Sequence, residues 1–300
     1  MDHPAYTLGI LGYPLGHSLS QRMYTAALRE LDLEGEFLLF EIPPLPAGQN
    51  EVNNLFGELR QGKVDGICIT IPHKQSVLPR VDELTPAAHV IGAANVVYRR
   101  KGRLVGDNTD APGFLADLQD FLKRAGIQSV NQGSNALVLG AGGAARAVVY
   151  ALLGAGWQVT VAARRSEQSR ELVNHFQRSL ASPKLQSADL ASTPDLATPF
   201  SLLVNTTPSG MFPHATDSPW PAGVPFPSGS ALYDVIYNPL DTALMQAARQ
   251  AGLPVRNGLG MLVEQGKLIF ERWTGKAAPG EVMRRAVESY FTPNLTEEKS

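Results

Sequence analysis

Glycines that can cradle a phosphate and polar side chains at strand ends are the residues of this chain spaced for chemistry. Gly140, Gly142 and Gly143 stand between a short apolar run, Ala136 to Leu139, and an alanine-rich stretch. Gly140 suits the backbone angles of a tight turn. Gly142 lets the backbone approach a bound phosphate. Gly143 and Ala144 open a helix whose unpaired N–H groups and positive dipole end attract an anion. The pattern is a G-x-G-G-x-A form of the dinucleotide-binding fingerprint. Taken alone, a glycine-rich link between strand and helix is equally well only a turn.

The surroundings favour the nucleotide. Ala144, Ala147, Val148, Ala151 and Leu152 share one helical face, and Gly154 and Gly156 end that element. Gln158 to Ala162 reads as a second strand. The unit is a βαβ crossover of about 30 residues, which requires a parallel sheet. A site for NAD usually places a carboxylate at the end of the second strand, for the ribose hydroxyls. Here Ala163-Arg164-Arg165-Ser166 stands there, with no carboxylate before Glu167. A guanidinium grips a 2′-phosphate with paired, charge-assisted bonds. The cofactor expected is therefore NADP, with Arg164 the first candidate and Arg165 or Arg170 assisting.

Other polar residues sit where open α/β sheets bind ligands. Ser18 and Ser20 lie on a glycine-rich link from a strand (Thr7 to Gly12) to a helix. They suit a polyhydroxylated ligand, and Ser20 suits helix capping as well. His73-Lys74 follows a strand over Val64 to Thr70, at the end where ligands bind; a surface lysine accounts for it equally. Asp110 begins a helix carrying Phe114, Leu115, Leu118, Phe121 and Leu122, so it reads as an N-cap or as a site carboxylate. Asn205-Thr-Thr-Pro-Ser-Gly-Met211 follows a strand over Ser201 to Val204, toward the nicotinamide end of a dinucleotide fold. Gln265 interrupts the apolar side of a helix over Met261 to Trp273.

The remaining pattern supplies the frame. Strands are expected over Glu36 to Ile42 and Ala231 to Ile236, and a hairpin over Ala94 to Tyr98 and Arg103 to Gly106, turned by Lys101-Gly102. Helices are expected over Val52 to Leu59, from Arg165 to about Leu180, along Leu240 to Ala251, and over Pro279 to Tyr290. A polar stretch follows Leu180. Six prolines from Pro208 to Pro227 mark a long loop. Strand and helix alternate through the first hundred residues as well as through the dinucleotide unit, so two α/β domains are predicted.

Composition narrows the function classes. The 300 residues are 44% apolar, enough for substantial cores, and the net charge of −2 gives no electrostatic case for nucleic acid or an anionic membrane. Cys68 is the only cysteine, so no internal disulfide and no cysteine metal cluster can form; no metal-ligand spacing is present. No Lys or Arg precedes Arg22, so no secretory or transit signal is expected, and the location expected is cytoplasmic.

Together the segments resemble the shikimate dehydrogenase family through nearly the whole chain. The markers are Gly12-Tyr-Pro with His17-Ser-Leu-Ser20, Thr70-Ile-Pro-His-Lys74, Gly92-Ala-Ala-Asn95, Asn108-Thr-Asp110, Gly140-Ala-Gly-Gly143, Asn205 to Met211, Tyr237-Asn-Pro and Gly260-Met-Leu-Val-Glu-Gln265. They occur in the family's order. The resemblance implies an NADP-linked reduction of 3-dehydroshikimate to shikimate in aromatic amino-acid biosynthesis. It implies Lys74 and Asp110 as the catalytic pair. Ser18, Ser20 and Tyr237 are implied at the substrate carboxylate, and Thr70, Asn95 and Gln265 at its ring hydroxyls or pocket wall. The cofactor contacts implied are Gly140, Ala141, Gly142, Gly143, Ala144, Arg164, Arg165, Asn205, Thr206, Thr207, Met211 and Gly258.

The fold implied is α/β with two domains and a cleft between them. A substrate-binding domain would comprise 1–109 plus 258–300, and a Rossmann NADP-binding domain with a parallel sheet 110–257. A monomer or homodimer without nucleic-acid or membrane partners is expected. The chain departs from the family pattern at Cys68, where asparagine is usual, at Gln21 for proline, at Tyr24-Thr25 for His-Asn, and at Ala94 for valine. Cys68 removes one polar contact near the substrate. It leaves open a quinate or aminoshikimate dehydrogenase; an NADP-binding sensor without activity is the alternative from a different class.

Overall fold

The computed structural model describes residues 5–127, 134–180, 184–190 and 200–292. It divides into two units, 1–85 with 94–109 and 263–300, and 86–93 with 110–262.

In the first unit β1 (Tyr6–Gly12) runs parallel to both β2 (Gly35–Glu41) and β3 (Gly66–Ile69). β5 (Val96–Arg100) is antiparallel to β3 and to β6 (Arg103–Asp107), and the two-residue β4 (Glu83–Leu84) lies parallel to β6. The sheet order is β2-β1-β3-β5-β6-β4. The hairpin forms where the sequence places it, because Lys101 and Gly102 take φ of 51° and 79°, the mirror-image turn angles that match strand twist.

Two helices pack by their apolar stripes. α1 (Ser20–Glu30) buries Met23, Tyr24, Ala27 and Leu28, with Tyr24 stacked 5.1 Å from Phe37. α2 (Gln49–Gln61) buries Val52, Leu55, Phe56 and Leu59 against Leu11, Ile67 and Ile69. It stops at Gly62, which turns left-handed (φ 72°) and returns its N–H to the Glu58 and Leu59 carbonyls. α9 (Gly280–Glu288) and most of α8 (Leu259–Thr274) complete the unit. Ser20 does not cap α1. It is the first helical residue, Leu19 holds the cap position without a side-chain bond, and Ser18 Oγ accepts from the Ser20 N–H at 3.3 Å.

The second unit holds a wholly parallel sheet of β7 (Asn135–Leu139), β8 (Gln158–Ala163), β9 (Leu185–Asp189), β10 (Leu202–Asn205), β11 (Ala231–Asp234) and β12 (Val255–Arg256). The order is β12-β11-β10-β7-β8-β9. Counted within the unit, that is the doubly wound dinucleotide order, with its switch point between β7 and β10.

Burial on both faces explains the unbroken apolar run at Ala136 to Leu139. Ala136 and Val138 join the core beneath α4 (Asp110–Arg124), α5 (Gly143–Gly154) and α6 (Ser166–Leu180). Leu137 and Leu139 face Leu244, Met245 and Ala248 of α7 (Ala243–Gln250). α7 begins later than its apolar pattern suggests, leaving Leu240 outside, because Thr242 Oγ1 accepts the Met245 N–H at 3.2 Å and caps the helix there.

Among the described residues, five short pieces lie outside the sequence expectations: β4, β9, β12, a 3-10 turn at Leu78–Arg80, and α3 (Pro86–Ile91). β9 falls in the stretch read only as polar. Each is too short for a period to register, and the sheet edge or neighbouring helices form it.

Candidate active site

In the first unit β1, β3 and β6 point the same way, so their carboxyl ends share one edge with the start of the antiparallel β5. Ser18 and Ser20 follow β1, Thr70 and Lys74 follow β3, Asn95 precedes β5, and Thr109 follows β6. The sheet order thus gathers residues that the sequence spreads over nearly a hundred positions.

This edge carries a buried amide cluster. Asn95 Nδ2 donates to Gln265 Oε1 at 3.1 Å and to Thr109 Oγ1 at 2.9 Å, and Asn95 Oδ1 accepts from the Thr109 N–H at 2.7 Å. All three residues are buried. Gln265 comes from α8, which brings its amide to the strand ends. Thr109 is an addition to the residues singled out from the sequence; it lies inside the Asn108-Thr-Asp110 motif, but no local signal separates it from its neighbours.

The lysine is presented by a fixed backbone. Its carbonyl accepts from the Ala94 N–H at 2.8 Å. The preceding His73 is 1% exposed and its Nε2 donates to the Ile42 carbonyl at 2.8 Å. The Lys74 side chain is half-buried. Thr70 donates its N–H to the Leu11 carbonyl. Cys68, two residues earlier, is buried in β3 opposite Ile10 and Val96. Ser18 is half-buried and Ser20 buried.

The second unit builds the phosphate end. Gly140 has φ 107°, and a Cβ there would stand 2.6 Å from Thr206 Oγ1. Thr206 donates its N–H and its hydroxyl to the Leu139 carbonyl at 2.9 and 2.7 Å. Glycine is therefore required twice over, by dihedral and by space. Gly142 is the N-cap of α5, and a Cβ on it would meet nothing within 4 Å. Open space lies before the first free N–H groups of α5, from Gly143 and Ala144, with Ala141 half-buried beside them.

Arg164 and Arg165 are exposed just past β8, and neither guanidinium has a bonded partner among the described residues. Arg164 borders a pocket of about 800 Å³ walled by Asp189, Trp220, Phe226 and Ala247. An open glycine turn, a helix start and unpaired guanidiniums fit a phosphorylated dinucleotide.

On the same carboxyl edge, at the end of β10 beside β7, Asn205 is fully buried. Its Nδ2 donates to Asp234 Oδ1 at 3.0 Å, and its Oδ1 accepts from the N–H and hydroxyl of Thr207 at 2.9 and 2.7 Å. Asp234, unmarked in the sequence, has its pKa pushed up by burial to about 6. Met211 and Tyr237 are half-buried. Gly258 is buried, and a Cβ on it would collide with the Val235 carbonyl oxygen. Asp110, buried, opens α4. Lys74 belongs to the first unit, Asp110 and Tyr237 to the second.

Known proteins match the chain along most of its length. Residues 10–97 match a family model described as the shikimate dehydrogenase substrate binding domain, and residues 258–288 one described as the shikimate 5′-dehydrogenase C-terminal domain. A shikimate dehydrogenase (NADP(+)) of Carboxydothermus hydrogenoformans is 39% identical over 93% of this chain and 95% of its own. The crystal structure of shikimate 5-dehydrogenase from Thermus thermophilus in complex with NADP(H) and shikimate is 37% identical, with a TM-score of 0.78 over 95% of this chain and 99% of that one. A quinate dehydrogenase from Corynebacterium glutamicum in complex with NAD is 26% identical, with a TM-score of 0.83 over 95% and 99%.

Proposed function

The chain belongs to the shikimate dehydrogenase family, and we infer that it is the NADP-dependent oxidoreductase that reversibly reduces 3-dehydroshikimate to shikimate in aromatic amino-acid biosynthesis. The observation that carries this reading at the level of residues is the buried Asn95–Thr109–Gln265 cluster on the sheet edge that also bears Lys74. Such a cluster offers fixed amide groups to a polyhydroxylated ring.

The nicotinamide, when bound, supplies or accepts the hydride at the substrate carbon. The protein's own task is then proton transfer and placement. Lys74 takes the proton from the hydroxyl oxygen during oxidation and returns it to the carbonyl oxygen during reduction. Asp110 orients the lysine and the hydroxyl. Thr70, Asn95 and Gln265 hold the ring hydroxyls, while Ser18, Ser20 and Tyr237 hold the carboxylate. The glycine turn from Gly140 to Ala144 takes the pyrophosphate, Thr206, Thr207, Met211 and Gly258 shape the nicotinamide end, and Arg164 with Arg165 takes the 2′-phosphate.

Residues 1–109 with 258–300 would serve the substrate and 110–257 the cofactor, in a cytoplasmic monomer or homodimer. Among the described residues no helix is long and apolar enough to cross a membrane. The quinate relative shares the backbone at lower identity than the shikimate relatives, and does not favour the alternative substrate.

Initial rates at 340 nm with purified protein test the reading. Fast turnover of shikimate with NADP, and little with NAD or with quinate, is expected. Turnover of quinate in preference to shikimate would overturn the substrate assignment, and NADPH binding without turnover of either would overturn the enzyme assignment.

A further inference from the structure

Asp234 closes β11 and is 0% exposed. Its carboxylate gathers donors from three separate segments. Oδ1 accepts from Asn205 Nδ2 at 3.0 Å and from the Ile236 N–H at 3.1 Å, and Oδ2 accepts from Thr242 Oγ1 at 2.8 Å. Asn205 passes the constraint onward, because its Oδ1 accepts both the N–H and the hydroxyl of Thr207. Next to Thr207, Thr206 lies against the Gly140 turn through its bonds to the Leu139 carbonyl. One carboxylate therefore sets the exits of β10 and β11 together.

The three donors are neutral, and among the described residues no cation pairs with the carboxylate. A charge buried on these terms costs stability, and a neutral side chain of the same shape would hold a purely structural site as well or better. The charge is useful for what it does to its donors. Bonds to an ionised acceptor are shorter and about twice as strong as neutral ones, so the Asn205 amide and the 236 turn are held more rigidly than an amide at position 234 could hold them.

We propose that Asp234 is a positioning residue for the reaction, fixing the 205–207 loop through Asn205 and the turn that presents Tyr237 through Ile236. The inference rests on the reading of this chain as an NADP-dependent dehydrogenase. It gives Asn205 the part of a relay: the amide acts on the cofactor loop from within, through Thr207.

Wild type, Asp234→Asn, Asn205→Ala and the double variant are compared in NADPH affinity by fluorescence titration, in KM and kcat for shikimate, in Tm, and in amide exchange at Thr207 and Ile236. Each single variant should weaken NADPH binding about tenfold, the loss expected for one charge-assisted bond. Asp234→Asn should also raise the shikimate KM, leave Tm equal or higher, and speed exchange at both amides. The double variant should bind NADPH no more than about threefold more weakly than the worse single, since both act along one path. Wild-type affinity and KM in Asp234→Asn would overturn the proposal. So would a lower Tm with unchanged kinetics, or fully additive losses. Absence of shikimate turnover in the wild type would sink the functional reading instead, and NADPH affinity with amide exchange would still decide the part played by Asp234.

Discussion

Asn95 and Gln265 stand 170 positions apart in the chain, and Nδ2 of the one donates to Oε1 of the other at 3.1 Å inside the first unit. The bond ties the start of β5 to the middle of α8. It fixes both amides in one orientation, because Asn95 must turn its oxygen to the Thr109 N–H. A hydroxylated ring meets a preset array of donors and acceptors rather than two free rotors, which lowers the ordering cost of binding.

The two amides should therefore fail differently. Asn95→Ala leaves the buried Thr109 N–H without its acceptor and should cost about 1–3 kcal/mol in urea unfolding. Gln265→Ala spares that bond; it should cost less than about 1 kcal/mol while raising the shikimate KM roughly tenfold. Equal stability losses in the two variants would show that the cluster is only scaffolding.

Lys74→Ala should lower kcat by about 10²–10⁴-fold, the usual worth of a general acid–base group. The shikimate KM should stay within a few-fold of wild type, because the His73 ring and the Ala94 N–H hold the local backbone independently of the ammonium group. Collapse of binding with the rate preserved would make Lys74 a binding residue.

Arg164→Ala should raise the KM for NADP by about 10–100-fold and leave weak turnover with NAD unaltered, since only NADP carries the 2′-phosphate. Parallel loss with both cofactors would move Arg164 from phosphate recognition to general shaping of the adjoining pocket.

Asp234 gives stability a pH dependence with a definite sign. Its pKa is about 6 in the folded chain against 3.8 as the ordinary value, so between those values the native state holds more protons than the unfolded state. Stability from this group is complete below pH 3.8 and is lost as pH rises through 6. The whole effect is roughly 3 kcal/mol at about 1.4 kcal/mol per unit. Urea midpoints of wild type and Asp234→Asn, taken across this window, should converge at its acid end and separate toward neutrality, with the variant the more stable. A constant difference would contradict the linkage.

Much of the frame was legible without coordinates. The run Ala136 to Leu139, the glycines after it and the stripe from Ala144 to Leu152 are local signals: strand, turn and helix each answer to residues within a few positions. The Lys101-Gly102 hairpin turn was legible for the same reason. β4, β9, β12 and α3 were not, because pieces of two to six residues exist through their neighbours.

The sequence by itself determined the residue types available for chemistry and their order: a glycine turn, an arginine pair where NAD sites place a carboxylate, a lysine past one strand and an aspartate at the start of a helix. Only the tertiary structure decided what each polar side chain faces. Asn205 is marked by its place at the end of β10, yet its amide is bonded inward to Asp234. Thr109 and Asp234 look ordinary in the sequence and become the acceptor-seeking and acceptor-giving centres of two buried networks. Burial and hydrogen-bond partnership are set by segments far apart in the chain, whereas turns and periodic faces are set by adjacent residues. That difference in range divides what was legible from what had to be folded to be seen.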